Sequence, residues 1–484
     1  MTLSRLQIDG FRDHSEAESW KDVRQVRVDL DDVSDATFSV SLLDSPKLQD
    51  PGGLDRQQAE DDPRQAAPLS LRFDTGEEVS QQRVGLVYRR AMTLNQNLEA
   101  LAYYGARRLD SAIPFRFIDL DREFFGAGIK YDRTLELLGL SHRWFIGADL
   151  QRQIDDRRNF DNQGGAPGET LLLDQKEEVT SLGVYLQDEI RLSKKWSLVA
   201  GGRFDSVNFD IDDHLRADGD DSGTRDFHQT TGRIGVTWLP RPDWQLYTSI
   251  AQSFETPTAT EVVNRPQGGG GINPDIEPQK AISYEIGLKG LGDGPFTCSL
   301  ALFHIRLEDE LIAFRDPTDR VFYRNAGESR RNGLELGLKR DITEGFEINL
   351  AYTYLDAEFD SYEKNGLDLN GNQVPGLPKH QVFGEIVYEH PSGFYAALES
   401  LWVGESYADD ENTVKSERFV LVNLRTGVTK NFGRWRISPF LGAENLLDES
   451  YSSNVRINAS GGRYFEPGPG VNLYGGIRIA YLHD

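Results

Sequence analysis

The sequence predicts an all-β protein, a large antiparallel transmembrane β-barrel of about 20 strands with long extracellular loops and short periplasmic turns. Three observations carry that expectation: side chains alternate with a period of two, the short turns all fall at one end of the hairpins, and aromatic residues gather at that same end.

The alternation defines the strands. In the C-terminal segment Leu473, Gly475, Ile477, Ile479 and Tyr481 share one face, and Asn472, Tyr474, Gly476, Arg478 and Ala480 share the other. Phe346, Ile348, Leu350, Tyr352 and Tyr354 alternate with Glu347, Asn349, Ala351 and Thr353. Val420, Val422, Leu424 and Val428 alternate with Asn423, Arg425 and Gly427, and Trp196, Leu198, Ala200, Gly202 and Phe204 with Arg203 and Asp205. Successive side chains of a strand point to opposite faces, so one face suits lipid and the other a wet lumen. Arg203, Arg233 and Arg425 are expected on the lumen face, paired with neighbouring carboxylates.

The turns come next. Short ones are expected at Asp31–Ala36, Arg90–Asn97, Asp132–His142, Leu192–Trp196, Pro240–Trp244, Leu291–Phe296, Asp341–Phe346, His390–Phe394 and Asn431–Trp435. Several carry Gly, Pro, Asp or Asn, which supply the backbone angles a tight turn needs. Long polar connections alternate with them, over roughly 45–79, 108–119, 154–176, 211–226, 254–278, 308–330, 358–377, 405–416 and 446–470, with a shorter one near 12–19. A soluble sandwich has no reason to keep every short turn at one end. Trp196, Trp244, Phe296, Phe346, Phe394 and Trp435 sit at or beside those turns, as an interfacial aromatic girdle requires. Lipid offers no partner to backbone N–H or C=O groups, so the sheet is expected to close without a free edge. Nine short turns join eighteen strands, and a strand at each terminus, near Thr2–Phe11 and Val471–Leu482, completes the count.

Composition agrees and excludes other classes. Only 38% of the 484 residues are hydrophobic and no apolar run reaches the roughly 20 residues of a spanning helix, which rules out a helical membrane protein. Net charge is −25, so no basic nucleic-acid surface is expected; the charge suits solvated loops or the attraction of cationic or metal-bearing ligands at the outer mouth. Cys298 is alone, which excludes an internal disulfide. Residues 1–25 show no basic segment followed by an apolar run, so an export signal is expected to have been removed, or the sequence to be a piece of a longer product.

Several segments carry a resemblance to TonB-dependent outer-membrane receptors, in the expected order along nearly the whole chain. They are Asp9–Ser15; Ser253–Thr258 with Asn273–Pro278 and Ser283–Gly287; Asn325-Ala326-Gly327 with Gly333–Leu336; Asn445–Tyr451; and Gly461–Pro467 with the final strand. Jointly these are specific, and singly each is weak. The resemblance, closest to siderophore receptors, implies that residues 1–484 are the β-barrel domain. Such barrels have about 22 strands and an N-terminal plug carrying the TonB box. Asp9–Ser15 resembles a motif late in their third strand, so the plug domain and the first two strands are expected to be missing here. It further implies import of a ferric siderophore or similar scarce nutrient, energised by TonB pulling on the plug of the full-length protein. Lumen arginines would then meet the plug where they are not paired along the wall. A passive pore or a plugless barrel remnant is the alternative; a soluble all-β binding protein is a weaker one. The expected location is the outer membrane of a Gram-negative bacterium, with lipid as one partner and the assembly machinery, reading the C-terminal strand, as another. The chain ends Tyr481-Leu482-His483-Asp484 where such barrels usually finish on an aromatic residue.

No enzyme is expected, and no cofactor or metal. The eight histidines are scattered without metal-ligand spacing, and neither a nucleophile elbow nor a phosphate-binding loop is present. Gly268–Gly271 reads as a surface loop because no Gly-Lys-Ser/Thr follows it. Asp409, Asp410 and Glu411, like Asp212, Asp213 and His214, could be weighed as cation sites, but solvated acidic loops are the plainer reading. For ligand binding, aromatic faces bury area at little entropic cost and arginine pairs bidentately with carboxylate or catecholate oxygens. On that logic Arg12, Phe254, Tyr323, Arg324, Tyr407, Tyr464 and Phe465 are the candidates, with loop packing or a girdle as the competing role for each.

Overall fold

A computed structural model describes the chain except residues 218, 264–270, 291–295, 316–320, 326, 365 and 483–484. Twenty strands form one antiparallel meander. The first seven are β1 (Thr2–Ile8), β2 (Ala17–Asp31), β3 (Ser34–Gln49), β4 (Gly76–Thr93), β5 (Gln96–Ile113), β6 (Arg116–Leu137) and β7 (Leu140–Asn162). Then follow β8 (Pro167–Arg191), β9 (Trp196–Asp213), β10 (Gly223–Arg241), β11 (Trp244–Glu255), β12 (Gln279–Gly290), β13 (Phe296–Glu308) and β14 (Glu328–Thr343). The last six are β15 (Phe346–Ser361), β16 (His380–Glu389), β17 (Phe394–Val403), β18 (Phe419–Val428, resumed as Lys430–Phe432), β19 (Trp435–Glu444) and β20 (Asn472–Tyr481). Each strand pairs antiparallel with the next in sequence, which is the arrangement short hairpin turns impose.

The faces fall as the alternation predicts. On β8, Leu182, Val184 and Leu186 point outward and are 46%, 45% and 53% exposed, as lipid-facing groups are without their lipid. Their neighbours Gly183, Tyr185 and Gln187 line the lumen, opposite Arg203 and Asp205 of β9 on the same face. Arg203 bonds Asp205 at 2.9 Å and Asp149 at 3.0 Å, and Arg233 bonds Gln187. Arg425 lies on the lumen face opposite Gly442, and is exposed.

The girdle is present at the short-turn rim. Trp196, Phe296, Phe346, Phe394 and Trp435 are between 41% and 50% exposed and all stand on the outward face. Cross-strand partners extend it: Trp196 stacks on Trp238 at 5.5 Å, Phe346 meets Tyr388 at 4.4 Å, and Trp435 meets Tyr481 edge-on at 5.1 Å.

The lumen wall is built from aromatic rings laid over glycines directly opposite them. Tyr103 lies over Gly126, Phe124 over Gly105, Tyr185 over Gly147, Tyr247 over Gly287 and Phe303 over Gly333. A Cβ at Gly333 would stand 2.0 Å from the Phe303 ring, and one at Gly126 2.6 Å from Tyr103. Glycine lets each ring lie flat on the neighbouring backbone and cover it.

Three expectations are corrected. The long loops expected at 108–119 and 154–176 are mostly strand, because β5–β8 run on past any membrane thickness to tight turns at 114–115 and 163–166. Their charged tips hold one another across strands: Arg122–Asp155 at 2.7 Å and Arg158–Asp119 at 2.5 Å, with Arg152 on Glu178. Closure is the third. Among the described residues β1 pairs only with β2 and β20 only with β19, so backbone pairing does not join the two ends. Both edges are exposed, with Leu3 at 65%, Leu473 at 76% and Ile477 at 67%. The expected turn over 291–295, most of the Gly268–Gly271 run, Ala326 and the last two residues lie outside the described residues.

Candidate ligand site at the outer mouth

The outer connections fold over the lumen and are held by small apolar clusters together with buried polar side chains. The 256–278 connection is the clearest case. It carries the short helix α1 (Ala259–Val262) and drives Val262, wholly buried, and Ile272 against Phe209, Ile211 and Phe227 of the β9–β10 wall. Its far end is clamped twice. Arg225 donates to the Glu277 carboxylate at 2.6 Å, and Asn325 receives the Glu277 N–H at 2.7 Å while donating to its carbonyl at 2.8 Å. The same amide reaches the Asp309 carbonyl at 2.7 Å, so one asparagine ties two connections together.

A second knot joins three more connections. Asp410, 3% exposed, accepts from the Tyr362 hydroxyl and from Lys364 Nζ, both at 3.1 Å. Lys364 also meets Glu411 at 3.1 Å and Asn458 Oδ1 at 3.4 Å, and Asn372 Nδ2 donates to the Asp410 carbonyl at 2.8 Å. Burial pushes the Tyr362 hydroxyl well above its ordinary pKa, and the Asp410 charge adds to it. Burial alone would lower Lys364, but Asp410 and Glu411 outweigh it and raise the ammonium. Asp409 receives the Thr413 and Val414 N–H groups at 2.7 and 3.2 Å. The acidic triplet is therefore a loop fastener, and no group of ligands able to hold a metal occurs among the described residues.

The candidate residues fall into three settings. Arg12 is 6% exposed and its guanidinium meets only carbonyls, Gly52 at 2.7 Å and Gln65 at 2.8 Å, holding the 50–75 connection in place. Its burial lowers its pKa. Phe465 is 5% exposed, bridged to Leu54 and capped by Arg56 4.9 Å from the ring centre. Both are packing groups under the mouth. Tyr464 and Arg324 lie beside the second knot: Arg324 donates to the Glu363 carbonyl at 2.9 Å and Tyr464 lies within the fields of Asp409 and Glu411, while the Tyr407 backbone carbonyl accepts the Gly376 N–H at 2.8 Å and its ring faces Lys415 Nζ at 5.0 Å. Tyr323 stands beside Arg324 on the hairpin Leu311–Arg315 with Val321–Asn325. Phe254 is apart from these, on the outward face with Ile250 at the top of β11.

Below the mouth the lumen holds a cavity of about 720 Å³ between β4–β9 and the Thr256–Thr260 segment that roofs it. Tyr103 and Phe124 lay their rings on its wall, 6.3 Å apart. Arg107, Arg122 and Arg157 project from the same face. None of these was a candidate from sequence, although the alternation places Tyr103 and Arg107 together on the polar face of one strand.

A twenty-strand meander with an aromatic girdle, a polar lumen and braced outer connections defines the wall of an outer-membrane β-barrel. The description "TonB dependent receptor-like, beta-barrel" matches residues 10–446, and the chain belongs to that family, an outer-membrane family of transporters rather than enzymes. Among curated proteins it is 29% identical over 245 residues to the metal-pseudopaline receptor CntO of Pseudomonas aeruginosa, covering 49% of this chain and 33% of that protein. It is 27% identical over 403 residues to the probable TonB-dependent siderophore receptor PiuA of Acinetobacter baumannii, covering 71% and 50%. The chain thus spans half or less of the length of these relatives. Among solved structures it superposes on the unliganded ferric citrate transporter FecA with a TM-score of 0.84 at 19% identity, over 99% of this chain and 72% of that one. That likeness is one of fold.

Proposed function

We propose that this chain is the wall and ligand-capturing mouth of an outer-membrane receptor that imports a ferric siderophore or a similar metal chelate. The observation that carries the reading is the construction of the outer mouth. Buried polar knots hold its connections as one body, with Arg324 and Tyr464 beside the second knot and Tyr323 and Tyr407 on neighbouring segments of the outer connections. Rigid tyrosines and an arginine fork suit a chelate with exposed aromatic or anionic oxygens. Arg12 and Phe465 serve the same site indirectly, by fixing the loops beneath it, and Phe254 supports the outer rim. Two of the relatives above are themselves named as chelate receptors. Transport would be energised by TonB acting on a plug in the full-length protein, while the chain described here supplies the wall and the binding loops.

Equilibrium dialysis of the purified chain in detergent tests this reading, with radiolabelled ferric citrate, ferrioxamine B and iron(III) tris(2,3-dihydroxybenzoate). Saturable binding of at least one chelate, weakened by Tyr464→Ala or Arg324→Ala, is the expected result. Failure to bind any of the three would sink it.

A further inference from the structure

We infer that the outward face of β12–β14 carries a binding site for the phosphate of an outer-leaflet lipid, lipid A in a Gram-negative membrane, with Arg306 as its anchor. The inference goes beyond the receptor reading and does not depend on it, because this face turns away from the lumen. Its position follows from depth. Phe296 stands in the girdle at the short turns, and Arg306 lies ten residues further along the same strand on the same outward face. A strand rising about 3.3 Å per residue and tilted by about 40° climbs about 25 Å over that distance, the height of the apolar band of such a barrel. Rings mark the same boundary on neighbouring strands. His304, Tyr354 and Trp402 stand eight residues above Phe296, Phe346 and Phe394 on the outward face, where a second interfacial belt belongs.

The side chains change character at this level. Ile286 and Leu302 face each other across β12 and β13 and are exposed; Tyr284 and His304 come next, with ring centres 6.1 Å apart, and then Ile282 and Arg306. Asn332 Oδ1 holds His304 Nδ1 at 2.7 Å. Arg306 is exposed and has neither an ion pair nor a hydrogen bond among the described residues. Its two cross-strand neighbours are Ile282 and Arg330. Arg330 is drawn to its other side by Glu358 at 2.5 Å and by Asp360. Like charges directly opposite each other destabilise a strand pair, and here no carboxylate lies between them. Glu308, the next residue outward on this face, stands opposite Lys280 of β12, which Asp309 also meets at 3.4 Å.

Outward cations elsewhere beyond the apolar band are matched: Glu178 meets both Arg152 and Lys176, and Asp119 meets Arg158. In a chain of net charge −25, an outward cation without a carboxylate at the membrane boundary fits an anion that the bilayer itself brings. The occupant is a lipid because of what lies beneath the guanidinium. Leu302, Ile286 and the Tyr284 ring offer acyl chains and a sugar face an apolar bed, while the arginine fork takes phosphate oxygens side-on. The site lies in mid-meander, remote from β1 and β20, so the ends of the sheet have no part in it.

Native mass spectrometry of the full chain released from detergent micelles tests this. The probes are diphosphoryl lipid A, the same lipid stripped of its phosphates, and inorganic phosphate as a competitor. Wild type is expected to retain diphosphoryl lipid A more tightly than the phosphate-free lipid. Arg306→Gln should weaken that retention about fivefold, the size of one cation beside an anionic membrane surface, and Arg306→Lys by less, since it keeps the charge but not the fork. Arg152→Gln, which removes an outward cation already paired with Glu178, should change it little. Heat-modifiable gel mobility identical to wild type establishes that the variants are folded. Equal retention of the two lipids, or equal retention by wild type and Arg306→Gln, overturns the inference. An equal loss in Arg152→Gln overturns it too, by making the effect one of net charge, as does displacement of the lipid by excess inorganic phosphate, which would make the site one for a soluble ion. Chelate binding at the mouth is untouched by any of these results, so the receptor reading stands or falls separately.

Discussion

Single side chains hold this mouth together by acting as backbone substitutes. Asn445 is the clearest. It adopts a left-handed φ of 49°, is 3% exposed, and its amide bonds the Glu449 and Pro469 carbonyls at 2.9 and 3.1 Å while accepting the Glu449 N–H at 2.9 Å. Asn445→Ala removes all three and leaves buried groups unpaired, and it also removes the side-chain hydrogen bonds that make the left-handed backbone tolerable for asparagine. The loss should be about 2–4 kcal/mol, measured as a shift of the urea midpoint in lipid vesicles. The Tyr362–Lys364–Asp410 knot makes a prediction about pH. Both Tyr362 and Lys364 bind their protons more tightly folded than their ordinary values of 10.0 and 10.5. Between those values and the raised ones the folded state holds more protons, so stability is intact below about pH 10 and falls as pH rises beyond it. Limited proteolysis should open the 362–379 connection above that point and not below. In a phenolate absorbance titration one late-ionising tyrosine should vanish in Tyr362→Phe.

The strand pair is the next unit. Glycine on the lumen face is usually a weakness in a strand, yet here it is where the neighbouring ring lies. Gly126→Val must push the Tyr103 ring aside from a 2.6 Å approach, and overpacking of this kind costs about 1–3 kcal/mol. The same change at Gly384, whose Cβ would meet nothing within 4 Å, should be nearly neutral. If the two variants unfold at the same urea concentration, the ring–glycine pairing contributes nothing. The charged ladders on β5–β8 belong to this scale too. They explain why strands persist into water where the composition suggested loops: Arg122, Arg152 and Arg158 each find a carboxylate on a neighbouring strand, so the ladder extends with little apolar burial.

Across the described residues the sheet is a continuous meander with two ends, and each terminal strand pairs on one side only. Amide exchange in detergent should therefore be fast in alternate residues of Thr2–Ile8 and Asn472–Tyr481 and slow in Gly126–Lys130 at mid-sheet. Equal protection would mean that the ends are paired in solution.

Much of this was legible in the sequence, because a strand's facing is decided locally. Period two, the turn residues and the girdle positions yielded the barrel, the strand number and all eight described short turns. The family segments were legible too, although their work here is structural: Asn325, Glu277 and Asn445 brace loops. What sequence could not supply depends on contacts between distant residues. Arg12 looked like a ligand group, but carbonyls 40 and 53 residues away surround it. Asp410 looked like a solvated acid, but Tyr362 and Lys364 fold onto it from another connection. Whether Arg306 had a partner depended on which strands the sheet set beside it. Facing is a property of one strand, whereas burial and pairing belong to the assembled wall, and only the tertiary structure decides those.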